Sequence, residues 1–372
     1  MDLTQLAPAN IRTIAPYAPG KPISDVAREL GMAEADIIKL ASNENPLGPS
    51  PKALAAIRSA LNDLALYPDG GGFALKAAIC KRFDVRPEQI ILGNGSNDVL
   101  ELAARTFLQP GDSAIYSQHA FAVYPLVTQA VGATGIEVPA RDFGNDLDGM
   151  LAAIRPDTKL IFLANPNNPT GTFVSGAALH AFLARVPERV LVLVDEAYGE
   201  YLSGNDAYNS VPWLQAFPNL ILSRTLSKAF GLAGLRIGFG FAQPALIDLM
   251  NRVRQPFNVN HLAMVAAVAA LADEGFIEQS RALNTAGLGM LRKAFDQRGI
   301  AYLPAFGNFI TFKVGASARQ VFESLLKQGV IVRPIAGYGL PDYLRVTIGT
   351  AAQNERFLKA LDDALDAALA GR

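Results

Sequence analysis

Short runs of apolar, largely β-branched residues alternate with helix-like patterns over the first two thirds of the chain. The runs cover residues 90–92, 113–116, 135–138, 159–164, 190–195, 220–222 and 237–241. Residues 160–163 and 191–194 are apolar at every position, as strands buried on both faces of a parallel sheet must be. The pattern predicts an α/β fold with a mostly parallel seven-stranded central sheet sandwiched by helices.

The pattern changes after about residue 255. Long helical patterns cover residues 261–273 and 277–298, strand patterns cover 309–314 and 344–348, and a last helix is predicted near 353–369. These elements indicate a smaller α+β domain. We expect an N-terminal arm and part of the small domain in residues 1–42, a large domain in 43–255 and the small C-terminal domain in 256–372.

Composition narrows the possible functions of the 372 residues. Lys and Arg number 33 against 34 Asp and Glu, so a nucleic-acid surface or a polybasic membrane patch is not indicated. The single cysteine, Cys80, excludes an internal disulfide and a zinc site made of cysteines, and we predict no metal site. The apolar run at 261–272 is shorter than the ~20 residues that span a bilayer. With no apolar segment typical of a secretory signal, a cytoplasmic location is expected.

One lysine, Lys228, stands among small and apolar residues in the stretch 223–240. Such surroundings favour a desolvated amine of lowered pKa, which can attack an aldehyde. The nearby Thr225, Ser227 and Arg236 suit an anionic phosphate. Pyridoxal phosphate carries both an aldehyde and a phosphate. The alternative is a lysine in an ordinary glycine-containing loop.

The turn 93–98 follows a predicted strand and opens a helix, where free backbone N–H groups and the helix dipole favour an anion. It begins like a dinucleotide-binding turn, but Asp98 stands where the third glycine belongs, so NAD binding is not predicted. A helix simply capped by Ser96 or Asn97 is the alternative.

Two further strands end in polar residues. Asn168 follows the strand 159–164 between two prolines and could donate a hydrogen bond to a phenolate oxygen; an Asn-Pro turn is the alternative. Asp195 ends the next strand and could keep a pyridine nitrogen protonated, with Tyr198 as a second donor to the phenolate. A magnesium-binding Asp-Glu pair competes with this interpretation, although no P-loop precedes it.

Arg333 and Arg345 lie at the edges of two predicted strands of the small domain. Arg345 stands in an otherwise apolar strand, where a cation needs an anionic partner. That partner is either an internal carboxylate or a substrate.

Taken together, these motifs resemble the fold-type I pyridoxal-phosphate enzymes, specifically the class-II aminotransferases, over nearly the whole chain. The resemblance extends to the stretches 43–46, 67–70, 168–171, 195–198, 227–236 and 344–349. It implies that Lys228 binds the cofactor aldehyde covalently, that Asp195 pairs with the ring nitrogen, and that Asn168 and Tyr198 bind the ring hydroxyl. It assigns the phosphate to Ser96, Asn97, Thr225, Ser227 and Arg236.

The resemblance also implies a homodimer with shared active sites, in which Tyr67 reaches the cofactor phosphate of the neighbouring subunit. Phe121 takes the place of a ring-stacking tyrosine found in many relatives, so stacking is kept and a hydroxyl is lost. Substrate contacts are expected from Tyr17, Asn43, Asn168, Arg333 and Arg345. The implied reaction is the ping-pong transamination of L-histidinol phosphate with 2-oxoglutarate, giving imidazole-acetol phosphate and L-glutamate in histidine biosynthesis.

Three alternatives share part of this pattern. A phosphothreonine-type decarboxylase would use the same cofactor residues, and product analysis separates it. An aromatic amino acid aminotransferase would use Arg345 for a carboxylate, with no phosphate involved. A cofactor-binding regulator would need an appended DNA-binding domain, for which the N-terminal arm is too short.

Overall fold

The computed structural model describes residues 2–370. Its strands are β1 (Ile38–Lys39), β2 (Ile90–Gly93), β3 (Ser113–Ser117), β4 (Thr134–Val138), β5 (Thr158–Ala164), β6 (Leu191–Asp195), β7 (Leu220–Thr225), β8 (Gly238–Phe241), β9 (Phe309–Lys313), β10 (Val330–Ile331), β11 (Arg333–Pro334) and β12 (Tyr343–Thr347). Its helices are α1 (Ala9–Arg12), α2 (Ile23–Leu30), α3 (Pro51–Ala60), α4 (Phe73–Phe83), α5 (Ser96–Phe107), α6 (Val123–Ala130), α7 (Leu147–Ala152), α8 (Gly176–Leu183), α9 (Pro244–Val253), α10 (His261–Leu271), α11 (Glu274–Gln297), α12 (Ala318–Lys327) and α13 (Ala351–Ala370).

The central sheet has seven strands in the order β2-β8-β7-β6-β5-β3-β4. All seven predicted runs are strands of this sheet, and the predicted mostly parallel sheet is confirmed. Only β8 runs against its neighbours, pairing antiparallel with both β2 and β7. The carboxyl ends of β5, β6 and β7 therefore meet at one edge, which is where ligands bind in sheets of this kind.

Helices cover both faces of the sheet, as its fully apolar strands predict. Along β6, Leu193 packs in a core with α5, α6 and α9, whereas Val192 and Val194 pack in a second core with α4, α7, α8 and α10. All three side chains are fully buried. Because successive residues of a strand point to opposite faces, Asp195 at the end of β6 shares the face of Leu193 and α6.

A smaller α+β unit follows, as predicted. It contains the antiparallel sheet β11-β12-β9, against which α11, α12 and α13 pack around a separate apolar core. Near the N-terminus, β1 pairs parallel with β10 of this unit. The expectation that part of residues 1–42 joins the small domain stays a prediction.

Helix α10 packs against α3 and α4 in the core of the large sheet. Its sequence is apolar on all sides. The sequence therefore predicts that the helix is buried, but it does not predict which helices pack against it. The domain boundaries at residues 42 and 255 stay predictions. Because α10 packs in the core of the large sheet, a boundary between the large and small domains inside α11 is favoured. Among the described residues, no helix is both long and apolar enough to cross a bilayer.

Candidate active site

A cavity of about 380 Å³ opens at the carboxyl ends of β5, β6 and β7 and extends to the small sheet. Every predicted site residue except Tyr67 lines it. These residues are Tyr17, Asn43, Ser96, Asn97, Phe121, Asn168, Asp195, Tyr198, Thr225, Ser227, Lys228, Arg236, Arg333 and Arg345. The alternation of strands and loops thus brings together residues that are up to several hundred positions apart in sequence.

Lys228 follows β7 and is only partly buried, with its Nζ donating a hydrogen bond to the Ser42 carbonyl at 3.1 Å. The amine also lies 5.8 Å from the ring centroid of Tyr198. Loss of hydration and the positive charge of Arg345 lower the pKa of Lys228 to about 8. A substantial share of the amine is therefore neutral near physiological pH, which agrees with the lowered pKa predicted from its neighbours.

Asp195 is 5% exposed at the end of β6. Its Oδ2 accepts a hydrogen bond from the Tyr124 hydroxyl at 3.0 Å, whereas its Oδ1 has no partner among the described residues. Burial raises the pKa of Asp195 to about 6, and the bond from Tyr124 opposes that rise. An ionised, buried oxygen without a donor calls for a positively charged or N–H partner in the cavity.

Asn43 joins the two domains at the site. Its Nδ2 donates to the Tyr198 hydroxyl at 2.8 Å, and its Oδ1 accepts from the Thr347 hydroxyl of β12 at 3.1 Å. Since the Tyr198 hydroxyl already accepts a bond from Asn43, its own proton is available to a ligand. Burial raises the pKa of Tyr198 to about 12, so the hydroxyl remains a donor at neutral pH.

The three backbone carbonyls that precede Asn43 each accept a hydrogen bond from a different part of the chain. The Leu40 carbonyl accepts from the Thr347 N–H at 2.8 Å, and the Ala41 carbonyl accepts from Arg345 at 2.7 Å. The Ser42 carbonyl accepts from Lys228. Residues 41–43 therefore line the cavity, and the segment 40–43 contacts both the loop that contains Lys228 and the small sheet.

The turn before α5 leaves that helix without a side-chain cap. Gly95 is the N-cap residue, with φ of 82°, and Ser96 already lies inside the helix, so the alternative of a cap by Ser96 or Asn97 is wrong. The Arg236 guanidinium packs so closely that a Cβ at position 95 would lie 2.5 Å from its Nη2. A helix N-terminus beside a guanidinium favours an anion such as a phosphate.

Arg333 and Arg345 lie directly opposite each other on the antiparallel strands β11 and β12. Opposite residues share one face of the sheet, with Cβ atoms about 5 Å apart, and like charges in that arrangement repel. Within residues 2–370, neither guanidinium forms an ion pair with a carboxylate; their acceptors are carbonyl groups and an amide oxygen. Two facing cations without a counter-charge favour an anionic ligand.

Each of these two arginine side chains is held by contacts with neighbouring residues. Arg345 is 6% exposed, donates to the Asn168 Oδ1 and lies over the Phe309 ring at 5.2 Å. Because Asn168 accepts with its oxygen, its amide N–H groups are left to donate into the cavity. Arg333 lies 5.6 Å from the ring centroid of Tyr17, which brings the N-terminal arm to the cavity mouth.

The two remaining aromatic residues of the prediction are in different places. Phe121 lines the cavity just before α6, with its ring edge-on to Tyr124 at 5.9 Å. Tyr67 lies outside the cavity of its own chain, is 83% exposed and stacks on Phe257 at 4.7 Å. Within one chain Tyr67 has no access to the site.

Sequence reasoning missed two aromatic residues of the cavity, Tyr124 and Tyr338. Tyr124 stands three positions after Phe121, which is helical spacing, and this was the available signal for it. Tyr338 follows Arg333 in an irregular segment and gave no periodic signal.

The class of protein follows from comparison with known families. Residues 35–361 match the family described as aminotransferase class I and II. The chain belongs to this family, and the predictions of a pyridoxal-phosphate-dependent aminotransferase and of its fold are confirmed.

Individual relatives share most of the length. The chain is 61% identical to the histidinol-phosphate aminotransferase of Methylobacillus flagellatus over 98% of both chains. It is 58% identical to histidinol-phosphate aminotransferase 2 of Nitrosospira multiformis, over 98% of this chain and 93% of that one. The crystal structure of histidinol-phosphate aminotransferase from Sinorhizobium meliloti in complex with pyridoxal-5'-phosphate superimposes with a TM-score of 0.88 at 27% identity, covering 96% of this chain and 97% of that one.

Proposed function

We propose that the chain transfers the amino group of L-histidinol phosphate to 2-oxoglutarate, giving imidazole-acetol phosphate and L-glutamate in histidine biosynthesis. The observation that carries this proposal is the pair of facing arginines, Arg333 and Arg345, without a carboxylate partner. The names of the relatives described above support the same substrate.

The residues of the cavity fit pyridoxal phosphate. The unpartnered Oδ1 of Asp195 suits the protonated ring nitrogen, and the amide of Asn168 and the hydroxyl of Tyr198 suit the ring hydroxyl oxygen. Phe121 would stack on the ring, and the amine of Lys228 would bind the aldehyde. The phosphate would lie among Ser96, Asn97, Thr225, Ser227 and Arg236. When bound, the cofactor supplies an electron sink that stabilises negative charge on the substrate carbon.

Lys228 is the proton carrier in this proposal. Because its pKa is about 8, the amine can accept a proton from the substrate carbon and then donate it to a neighbouring atom, without a large free-energy cost at either step. Asp195 keeps the ring nitrogen protonated because opposite charges close together in a buried site favour both ionised forms. Tyr198 and Asn168 orient the ring by hydrogen bonds.

The two substrates present different anions to one site. Histidinol phosphate has a phosphate of nearly two negative charges and no carboxylate, whereas glutamate offers carboxylates. Arg345, buried and fixed by Asn168 and Ala41, suits the anion that both substrates place deep in the cavity. Arg333 and Tyr17, at the mouth, suit the additional charge of the phosphate.

A homodimer with shared active sites is part of the proposal. Tyr67 stacks on the exposed Phe257, and the apolar residues near it in sequence, Leu61, Leu64, Leu66 and Phe73, are exposed as well. Exposed apolar surface concentrated in one place is typical of an interface between subunits. In the dimer, Tyr67 would reach the cofactor phosphate of the second copy. A cytoplasmic location is proposed on the basis of the biosynthetic reaction and the single cysteine.

Arginine variants test the substrate. Arg345→Ala should impair both half-reactions by about 2–5 kcal/mol, the cost of removing one partner of a buried charge pair. Arg333→Ala should reduce turnover of histidinol phosphate more than that of glutamate. Arg319→Ala, on the exposed surface of α12, is the matched control and should leave both rates unchanged.

Half-reactions with histidinol phosphate, phenylalanine, tyrosine and phosphothreonine distinguish the alternatives. The proposal would be wrong if phenylalanine reacted faster than histidinol phosphate, or if Arg333→Ala left the histidinol-phosphate kinetics unaltered. Either result would indicate an aromatic aminotransferase instead. Release of carbon dioxide from phosphothreonine would indicate the decarboxylase.

A further inference from the structure

Tyr124 is a fully buried tyrosine in the first turn of α6, and its only side-chain hydrogen bond within residues 2–370 goes to Asp195. Its ring stacks on Phe162 of β5 with centroids 5.0 Å apart and planes inclined by 4°. Thr128, one turn further along α6, donates to the Tyr124 carbonyl at 2.8 Å. The phenol therefore has a single fixed direction, toward the carboxylate at the end of β6.

We propose that Tyr124 is a positioning residue, which fixes Oδ2 of Asp195 and thereby directs the unpartnered Oδ1 toward the ring nitrogen of the cofactor. This inference rests on the proposed use of pyridoxal phosphate in this cavity. Two features support it independently. Asp195 has one satisfied and one unsatisfied oxygen, and the satisfied one is bonded to a side chain that has no other hydrogen-bonding task.

Phe121 lies just before α6, and its ring meets that of Tyr124 edge-on. Phe121 and Tyr124 both line the cavity, so one short stretch of chain contributes to both the face and the nitrogen edge of the ring. A carboxylate on a short side chain that no hydrogen bond holds can rotate about χ2, which is a soft torsion. The bond from Tyr124 restricts that rotation.

The phenol also favours the ionised carboxylate. The charged or titratable groups facing Asp195 are Tyr124 from α6, Glu196 and Tyr198 from the same chain segment, and Lys228 from the loop after β7. Burial and Glu196 raise the pKa of Asp195, whereas the bond from Tyr124, the nearby Ala197 backbone N–H and the charge of Lys228 lower it. Removing the phenolic hydroxyl should therefore raise the pKa of Asp195 above its value of about 6.

Tyr124→Phe is the test, because it keeps the ring and its stacking on Phe162. In the cofactor-free protein, the pKa of Asp195 is followed by carbon-13 NMR of its labelled carboxylate. In the holoenzyme, kcat should fall about ten- to a hundredfold with little change in KM, as for loss of one hydrogen bond to a charged group. The matched control is Tyr116→Phe, a buried tyrosine on β3 whose hydroxyl lies against Gly135 and not against Asp195.

A double-mutant cycle with Asp195→Asn shows whether Tyr124 acts through Asp195. If it does, adding Tyr124→Phe to Asp195→Asn should change single-turnover rates little further. An unaltered Asp195 pKa in Tyr124→Phe, or fully additive losses in the cycle, would overturn the proposal. The NMR titration needs no substrate, so it remains decisive even if wild-type enzyme fails to process histidinol phosphate and the substrate assignment is abandoned.

Discussion

Replacing Asp195 by asparagine should stabilise the cofactor-free protein while disabling the enzyme. The physical reason is that the folded chain holds a carboxylate in a buried place where, without cofactor, its charge lacks a sufficient partner. The pKa of Asp195 rises from 3.8 to about 6 on folding. At about 1.4 kcal/mol per pH unit, this difference corresponds to a destabilisation of about 3 kcal/mol when the carboxylate is ionised.

The sign and the pH window follow from the two pKa values. Below about pH 4 the carboxyl is protonated in both the folded and the unfolded chain, so no penalty applies. Between pH 4 and 6 the folded state binds more protons than the unfolded state, and stability falls as pH rises. Above about pH 6 the loss is complete. Asparagine does not titrate, so the Asp195→Asn variant lacks this pH-dependent loss.

Urea unfolding of the cofactor-free proteins at a fixed protein concentration measures the effect. The stability advantage of Asp195→Asn should grow from near zero at pH 4 to about 3 kcal/mol at pH 7. Asp363→Asn, at an exposed position of α13, serves as the control. A difference between variant and wild type that is independent of pH would refute the claim that burial raises the pKa of Asp195.

Added pyridoxal phosphate should reverse the order of stability at neutral pH, because the ring nitrogen gives the carboxylate its missing partner. Single-turnover proton transfer in Asp195→Asn should be slower by orders of magnitude, since a neutral amide cannot keep the ring nitrogen protonated. Rates equal to wild type would contradict the assigned role of Asp195.

Lys228→Ala should abolish transamination, and borohydride reduction of loaded wild type should label Lys228; a label on another lysine would show the assignment to be mistaken. Because only the neutral amine attacks an aldehyde, cofactor uptake by the apoenzyme should quicken with pH until about 8 and then level off. In mixed dimers of Tyr67→Phe with Lys228→Ala, one site should collect both defects and the other should be wild type; a hybrid with no intact site argues against sharing. Gly95→Ala should weaken cofactor retention during dialysis by displacing Arg236, whereas Gly111→Ala, also at a positive φ (97°) but facing open space, should not.

Much of this molecule is predictable from local pattern. Strands β5 and β6 are largely apolar on both faces. Asp195 ends β6 and Asn168 follows β5, and the two residues gather at one edge because parallel neighbours end together. Lys228 is recognisable because the residues around it in sequence are small or apolar, unlike those around an ordinary surface lysine.

The remainder depends on contacts between distant segments. Tyr124 is an ordinary apolar-face residue in sequence, and only the tertiary packing of α6 on the central sheet makes it a partner of Asp195. Helix α10 is apolar on all sides, so no single face of it indicates which core it packs in. Its place in the large core therefore could not be predicted from its sequence. The roles of Tyr67 and Arg333 depend on a second subunit and on a substrate, and they stay predictions.

The segment 40–43 has a consequence for how this chain tolerates change in length. Irregular segments usually accept insertions, because their backbone groups are exposed to water. Here three successive carbonyls accept hydrogen bonds from three different donors. Leu40 accepts from Thr347, Ala41 from Arg345 and Ser42 from Lys228. One added or deleted residue would shift every acceptor by a position and offer the wrong group to each donor. A stretch with no regular structure over most of its length is thus as intolerant of insertion as a strand in the middle of a sheet.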